Sequence, residues 1–383
     1  MTTTHACALA KPLLSGTLAL AIASMLTPAT VAQTNSYRVR NLVSDDDSFN
    51  PHTLDPNLIN PWGLAASQTG PFWVANNGTG ISTIYDRHGN KTALEVTLPS
   101  NNSDSGGKPT GMVFNPTTDF VITDGSASAP ATFLFANEDG TISGWSADVP
   151  PSNPQNPSTQ AQVAVDNSAT GALYKGIALA TFTFGNDTIS RVYAANFHNA
   201  SIDVFDEQFN AVQTPGGFVD NAIPNGYALF NITNINNNLY VTYAKQDANG
   251  EDEVAGAGRG FVDVFDTDGT LVKRLIKHGR LNAPWAVVMA PSNFGKFSNM
   301  LLVGNFGNGH INAYNPTTGK FRGTLRNVNG GAVHIDGLWG LSFGNGGEAG
   351  SHKALFFTAG PDDESHGLFG RILAVNSNSD EAD

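Results

Sequence analysis

The sequence predicts an all-β protein whose folded domain is a six-bladed β-propeller with four-stranded blades. Three observations lead to this fold class. A unit of roughly 40 to 65 residues recurs six times. Each unit consists of short apolar segments separated by turn residues. The last unit lacks one segment, and an unpaired apolar segment precedes the first unit. The composition agrees, because 41 Gly and 20 Pro supply many turns and charged residues make up only 14% of the chain.

The six units share one order of segments. The first segment opens near Gly, the second ends in Ala-Asn or an equivalent pair, and the third ends in an acidic turn. The predicted strands, unit by unit, are 61–65, 72–77, 82–86 and 93–96; 110–114, 133–137, 141–145 and 161–165; 175–179, 192–196, 201–206 and a weaker piece at 211–213; 227–230, 239–243, 260–266 and 271–276; 285–289, 301–305, 310–314 and 321–325; and 338–342, 354–358 and 370–375.

The ring is predicted to close through the N-terminal strand. The sixth unit stops one strand short, and the chain end at 376–383 is too polar to supply a packed strand. The segment 37–43 precedes the first unit without a partner of its own. Pairing this segment with the last blade would leave few exposed strand edges. We therefore expect the N-terminal strand to complete the last blade.

Residues 1–32 are typical of a secretory signal peptide. Lys11 precedes an apolar run over 13–26, and small residues lead to a cleavage site after Ala32. A membrane anchor is the alternative, but the run is shorter than the roughly 20 residues that span a bilayer. The predicted domains are a signal peptide, 1–32, and a propeller, 33–383. The mature protein is expected to be secreted or periplasmic, without a membrane span.

Charge and cysteine content exclude several function classes. The net charge is −13, and loss of the signal, which contains one Lys and no acidic residue, changes it to −14. An acidic chain without a basic run argues against binding of nucleic acid or anionic lipid. Cys7 lies inside the signal, so the mature chain contains no cysteine. Disulfides, zinc thiolate sites and cysteine nucleophiles are therefore excluded.

Candidate ligand-binding residues lie in the loops that enter each first strand and leave each second strand, which are expected to meet on one face. They are Asn60, Trp62, Asn76, Asn137, Asn196, Trp285, Asn305 and Trp339. Asn recurs at the end of the second strand in four units, where a ring of amides could bind a hard cation such as calcium or a polar ligand such as a sugar. The alternative, favoured by the repetition, is structural: Asn tolerates left-handed backbone and caps its own turn.

Three residues are candidates for catalysis. His198 and His334 fall in the same loops, and Asp336 stands just before the sixth first strand. Residues two apart on an extended chain share a face, so His334 and Asp336 could form an acid–base pair. A loop salt bridge or turn cap is the alternative. The spacing of the histidines contains no metal-ligand motif.

The segments 41–45, 55–65, 70–80 and 336–341 resemble an uncharacterised family of exported bacterial proteins, over nearly the whole mature chain. Some members carry a PEP-CTERM sorting tail, which this chain lacks. The repeats also resemble NHL-type blades. Six-bladed relatives include calcium-dependent lactonases, which hold the metal at the channel mouth with a Glu and amide or carboxylate groups. That resemblance implies Glu138, Asn196 and Asp336 as candidate calcium ligands.

These observations lead to three hypotheses for the function of the protein. The first is a binding module without chemistry of its own, whose partner is a polar small molecule, a glycan or a protein. The second is a metal-dependent hydrolase, lactonase or lyase with an axial calcium site. A structural role in the cell envelope is the third. A buried divalent ion at the axis would favour the enzyme, and an aromatic-lined groove would favour the binding module.

Overall fold

The computed structural model describes residues 36–101, 106–151 and 156–375, apart from the side chain of residue 184. The predicted signal peptide and the polar chain end lie outside these residues. The described chain begins with strands β1 (Tyr37–Ser44) and β2 (Thr53–Leu54). Short 3-10 helices lie at Asp47–Phe49, Ser168–Thr170, Gly295–Phe297 and Phe306–Asn308. None of the helices in the described segments is long and apolar enough to span a membrane.

Six small sheets form the blades, antiparallel except where β2 pairs with β1, which confirms the six-bladed propeller. Blades 1 to 3 contain β3 (Pro61–Ala66), β4 (Phe72–Asn76), β5 (Ile81–Tyr85) and β6 (Val96–Thr97); β7 (Pro109–Phe114), a hairpin of β8 (Val121–Thr123) and β9 (Ser128–Pro130), β10 (Phe133–Asn137), β11 (Thr141–Trp145) and β12 (Gln162–Asp166); and β13 (Tyr174–Phe184), β14 (Asp187–Asn196) and β15 (Ser201–Phe205).

Blades 4 to 6 follow in the same order. They contain β16 (Tyr227–Ile235), β17 (Asn238–Lys245), β18 (Phe261–Phe265) and β19 (Leu271–Lys277); β20 (Pro284–Met289), β21 (Leu301–Asn305), β22 (Ile311–Tyr314) and β23 (Phe321–Thr324); and β24 (Leu338–Phe343), β25 (Leu355–Ala359) and β26 (Leu368–Ala374), to which β1 and β2 are added. In the described chain, blade 3 has three strands, and the weak piece predicted at 211–213 contributes one bridge, between Phe205 and Ala211.

The N-terminal strand closes the ring, as predicted. β1 runs antiparallel to β26, with a register that pairs Tyr37 with Ala374 and Ser44 with Leu368. The hydroxyl of Tyr37, which is fully buried, donates to the backbone carbonyl of Phe294 in blade 5 at 3.1 Å. The first strand of the domain is therefore part of blade 6 and also bonds blade 6 to blade 5.

Blades are held together by aromatic and aliphatic side chains that alternate along the strands and pack face to face. Trp73 of blade 1 stacks on Phe133 of blade 2 with centroids 4.5 Å apart, and Phe72 packs against Phe356 of blade 6 at 4.7 Å. Aromatic pairs of this kind contribute about 0.5–1.5 kcal/mol each beyond the area that they bury. The core is thus distributed between the blades around the ring.

Candidate ligand-binding site at the channel mouth

The first strand of each blade lines the central channel, and one residue of each strand occupies the channel near one end. These six residues are Trp62, Thr110, Lys175, Phe230, Trp285 and Trp339. The strand register shifts beside this position in all six blades, for example between Pro61 and Leu64 in blade 1. We call this end the mouth face; it carries the loops that enter the first strands and leave the second strands.

Three tryptophans plug the channel at the mouth face. Trp62 stacks on Trp339 with ring centroids 3.5 Å apart and an interplanar angle of 18°. Trp285 meets both edge-on at 6.1 and 5.9 Å, and Phe306 stacks on Trp339 at 4.0 Å. All three indoles are buried, at 2%, 5% and 0% exposure. The predicted binding residues Trp62, Trp285 and Trp339 therefore form a packed plug and do not line an open aromatic groove.

Glycine allows the inner strands to approach closely just beyond the plug. A Cβ on Gly63 would lie 2.6 Å from the carbonyl oxygen of Thr110, and one on Gly340 would lie 2.7 Å from that of Trp62. No side chain fits at such distances without moving the neighbouring strand. The inner strands therefore lie close together beneath the plug. From these glycines towards the opposite face the channel forms a cavity of about 380 Å³, lined by all six first strands and without an ionisable side chain.

Lys175 lies at the mouth with its side chain 1% exposed. Its ammonium is 5.3 Å from the centroid of the Trp62 ring and 5.4 Å from that of Phe197. It is also paired with carboxylates, at 3.1 Å from Asp252 Oδ1 and 3.5 Å from Glu253 Oε2. The cation is thus held between aromatic faces, which favour positive charge, and acidic side chains.

Two further carboxylates complete what we call the mouth cluster, which comprises Lys175, Glu138, Asp252, Glu253 and Glu364. Glu138 Oε1 lies 3.7 Å from the ammonium of Lys175. Glu364 accepts a hydrogen bond from Asn60 Nδ2 at 2.5 Å. Asn77 Nδ2 donates to Glu138 Oε2 at 3.1 Å. The cluster therefore draws acidic residues from blades 2, 4 and 6 around one cation from blade 3.

Burial shifts the pKa values of the mouth cluster. It raises the pKa of Glu253 to about 7, although the charge of Lys175 opposes this shift. Burial likewise raises the pKa of Glu364, against the hydrogen bond from Asn60. Burial alone would lower the pKa of Lys175, but the charges of Glu253, Glu138 and Asp252 outweigh it, so that pKa is raised. Lys175 is therefore charged near neutral pH, whereas Glu253 titrates there.

An amide links the tryptophan plug to the mouth cluster. The indole Nε1 of Trp339 donates to Asn60 Oδ1 at 3.0 Å, and the amide Nδ2 of the same Asn60 donates to Glu364. Asn60 is 4% exposed. The packing of the plug thus fixes the orientation of the Asn60 amide, which in turn positions a carboxylate at the mouth.

The recurrent asparagines donate hydrogen bonds from their side-chain amides to other parts of the scaffold. Asn76 Nδ2 donates to Thr83 Oγ1 at 2.9 Å, Asn137 Nδ2 to Ser143 Oγ at 3.4 Å, and Asn305 Nδ2 to the carbonyl of Arg280 at 2.8 Å. These three and Asn196 are at most 1% exposed. The amide nitrogens thus bond to the scaffold, and none of the four asparagines has left-handed backbone. The positive φ angles fall three or four residues later, at Gly80, Gly140, Ala200 and Gly309.

The predicted catalytic residues lie apart from the mouth cluster. The exposed His334 ring faces His310 with centroids 6.0 Å apart, and exposed Asp336 accepts a hydrogen bond from the backbone N–H of Asp362 at 3.0 Å. His334 and Asp336 do share a face, because buried Ile335 points the other way. His198 is exposed, and its backbone carbonyl accepts from Gln246 Nε2 at 3.3 Å. In the described chain, no hydrogen bond or ion pair joins these side chains into an acid–base pair.

The residues implied as calcium ligands do not fit a metal site as they stand. Glu138 directs its oxygens to Lys175 and Asn77. The amide oxygen of Asn196 accepts from two backbone N–H groups, and Asp336 is bonded to the loop at 362. Within the described segments no three His, Cys, Asp or Glu side chains are grouped as metal ligands. An ammonium already lies among the acidic groups that a cation would need.

Sequence reasoning missed Glu253 and Glu364. Both lie in loops between a second and a third strand, and these two loops are long: residues 246–260 in blade 4 and 360–367 in blade 6, against 77–80 in blade 1. Long loops at the mouth of a rigid ring reach over its axis and often carry function. Loop length was the available signal, and it would have directed attention to the acidic residues within them.

The fold and site define a six-bladed propeller with a charged mouth cluster over a tryptophan plug. No known family model matches the chain. Two proteins of Acanthamoeba polyphaga mimivirus are similar over most of their length. Uncharacterized protein R648 is 35% identical over 343 residues, covering 88% of this chain and 80% of R648. Uncharacterized protein L690 is 32% identical over 349 residues, covering 88% and 86%. The chain belongs to the family that contains these two proteins.

Solved structures with similar architecture include virginiamycin B lyase from Staphylococcus aureus, with a TM-score of 0.49, 12% identity and coverage of 89% of this chain and 100% of that one. The soluble aldose sugar dehydrogenase from Escherichia coli has a TM-score of 0.49, 11% identity and coverage of 89% and 100%. At this level of similarity neither structure bears on the activity of the present chain.

Proposed function

We propose that this protein is a binding module that takes a cationic, hydrogen-bond-donating ligand at the mouth cluster. The observation that carries the proposal is a surplus of negative charge. Three carboxylates, from Glu138, Asp252 and Glu253, lie within 4 Å of the one ammonium of Lys175. With all groups ionised this set has a net charge of −2, and Glu364 adds to it. Such a site attracts an amine or guanidinium group.

The cost of the cluster supports a functional role. Removing several charges from water is expensive, and a buried ion pair usually contributes little net stability compared with apolar residues of similar size. Strongly shifted pKa values in ionisable residues around a channel mouth are also typical of functional sites. An apolar residue in place of Lys175 would pack against Phe197 and Trp62 without needing acidic partners. The ionic arrangement is therefore better explained by recognition than by folding.

The exposed side of the cluster indicates where a ligand would bind. The side chain of Asp252 is 76% exposed and that of Glu138 is 21% exposed, whereas Lys175 and Glu253 lie beneath them. A ligand amine would contact the carboxylates of Asp252 and Glu138, in a polar and partly desolvated environment. The fitting ligand classes are amino sugars, polyamines and the Lys or Arg side chains of a protein partner.

Matched pairs of ligands test the proposal. Spermidine and its acetylated form differ in charge, as do a lysine peptide and its acetyl-lysine copy. Isothermal titration calorimetry at pH 8 should show that at least one amine binds and that acetylation weakens its binding at least about tenfold. Equal binding of charged and acetylated partners, or no binding of any amine, would contradict the proposal.

A second candidate function is an enzyme, favoured by the pKa of Glu253. A buried carboxyl group with a pKa of about 7 beside an ammonium can act as a general acid or base near neutral pH. The hydrolase, lactonase or lyase hypothesis would therefore centre on Glu253 rather than on His198, His334 or Asp336. Screening lactones and esters with the wild type and Glu253→Gln tests it, and the metal content of the purified protein tests the calcium requirement.

We also propose that the protein is exported, as the bacterial family resemblance implies. The support is the sequence of residues 1–32, with its basic start, apolar run and small residues before the predicted cleavage site. Fusing these residues to a reporter should direct it out of the cytoplasm, and the exported protein should begin at Gln33. A cytoplasmic product that retains Met1 would contradict export.

A further inference from the structure

We propose that blade 3 binds an extended peptide segment of a partner protein as its fourth strand. This inference is independent of the mouth cluster. The third strand of blade 3, β15, is flanked by a groove of about 400 Å³ at the place where other blades carry a fourth strand. One wall is β15 itself, and the other is the chain from Gln213 to Gly217. Ala211 and Val212, which pair with Phe205 and Val204 of β15, close one end of the groove.

Comparison with the other blades shows what is missing from the groove. The second residue of the third strand is paired with an apolar, β-branched residue of the fourth strand in three blades: Ser82 with Val96, Ile142 with Val165, and Val262 with Ile276. Val96, Val165 and Ile276 are each buried. The corresponding residue of blade 3 is Ile202, and the described chain provides no fourth-strand partner opposite it.

The backbone of β15 is oriented to accept a strand. The carbonyl of Val204 accepts from the N–H of Val212 on the outer side, at 2.8 Å. Hydrogen-bonding directions alternate along a strand, so Ile202, two residues earlier, also directs its N–H and C=O outward. In the described chain these groups face the groove without a backbone partner. An added strand would satisfy them, as in β-strand addition to a sheet edge.

Charge identifies the chemistry of the partner. Asp203 is the one ionisable residue that lines the groove, and its described partners are neutral: Tyr174 OH at 2.7 Å, Asn196 Nδ2 at 3.0 Å and Ser201 Oγ at 3.3 Å. In blade 4 the equivalent Asp263 is in register with Arg274 of the fourth strand. Arg274 lies one residue before Leu275 and two before Ile276. A matching partner therefore carries Lys or Arg two residues before Val or Ile.

The chain's own fourth strand in blade 4 supplies a probe. A synthetic peptide that copies Leu271–Lys277, with sequence LVKRLIK, contains both required residues. It should bind the folded protein in a fluorescence anisotropy titration. A peptide with Glu in place of the arginine should bind at least about tenfold more weakly. Hydrogen exchange of the Ile202 amide should slow when the peptide is present.

Variants of the protein complete the test. Asp203→Asn removes the charge in the groove but can still accept a hydrogen bond, and it should weaken peptide binding at least about tenfold. Asp187→Asn removes the same charge from the exposed β13–β14 hairpin of the same blade and should leave binding unchanged. Thermal unfolding shows whether each variant is folded, and the arginine-to-glutamate peptide tests the same charge on wild-type protein. No binding of LVKRLIK, equal effects of the two variants, or protection elsewhere in the ring would overturn the proposal.

Discussion

The indole ring of Trp62 stacks on the indole ring of Trp339 at 3.5 Å, across the seam where blade 1 meets blade 6. The two rings differ in their polar contacts. Trp339 Nε1 donates to Asn60, whereas Trp62 Nε1 is buried without a partner in the described chain. The two tryptophans thus pack blade 1 against blade 6 and block the channel. Trp339 alone also supports the mouth cluster, through Asn60.

Replacing each tryptophan by Phe should separate packing from hydrogen bonding. Both substitutions keep an aromatic ring in the plug. Trp339→Phe also leaves the buried Asn60 oxygen without its donor, so it should cost about 1–3 kcal/mol more than Trp62→Phe in the free energy of unfolding. Urea denaturation of the two variants checks this. Equal losses would show that the bond from Trp339 to Asn60 contributes nothing.

Removing the cation of the mouth cluster should destabilise the protein in a pH-dependent way. Lys175→Met leaves the buried carboxylate of Glu253 without its counter-ion, which should cost about 3–5 kcal/mol at pH 8. At pH 5 the loss should be smaller, because Glu253 is then protonated. Adding Glu253→Gln to Lys175→Met should restore part of the stability at pH 8. The double variant being no more stable than Lys175→Met would contradict the coupling.

Glu253 should make the folded protein less stable as pH rises. Its pKa is raised from 4.5 in the reference state to about 7 in the folded protein. Between these values the folded protein holds the proton and the unfolded chain releases it, so the free energy of unfolding falls with rising pH, by at most about 3 kcal/mol in total. Glu253→Gln should flatten this part of the pH profile. An unchanged slope in denaturation measurements from pH 4 to 8 would assign the effect to other groups.

The N-terminal strand should be required for a closed ring. A chain that begins at residue 45 lacks β1. Loss of β1 exposes the edge of β26 and removes the buried Tyr37. Exposed edges of this kind pair with other chains. The truncated protein should unfold at a lower temperature or associate, and a synthetic peptide of residues 36–44 should restore the monomer. Size-exclusion chromatography and thermal unfolding measure both effects. An unaffected truncated monomer would refute the role of β1.

Much of the fold could be predicted from the sequence because each blade repeats the same local pattern. Short apolar segments and turn residues predict four strands for five of the six blades, as the structure shows. The unpaired segment at 37–43 predicts the strand that closes the ring. The three-stranded sheet of blade 3 is not predicted, because Ala211–Val212–Gln213 indicates a weak fourth strand. Whether those residues continue along β15 depends on the path of the chain after Gln213, which local pattern does not determine.

The candidate site was predicted only in part. The loops that meet at the mouth face were identified, together with Glu138, Asn60 and the tryptophans. The sequence does not reveal which side chains point to solvent and which pack together, so it predicts a binding surface where the tryptophans form a plug. Glu253 and Glu364 come from loops far apart in the chain, and their meeting with Lys175 depends on how those loops fold over the axis.

The most direct test of the mouth cluster is the affinity of spermidine for the wild type and for two matched variants. Glu138→Gln removes one charge from the cluster and can still accept the hydrogen bond from Asn77. Glu348→Gln removes the same charge from an exposed loop on the opposite face. Calorimetry at pH 8 and low salt should show binding to the wild type, a loss of about fivefold or more in Glu138→Gln and no change in Glu348→Gln. Equal affinity of spermidine for all three proteins would contradict a cation-binding mouth.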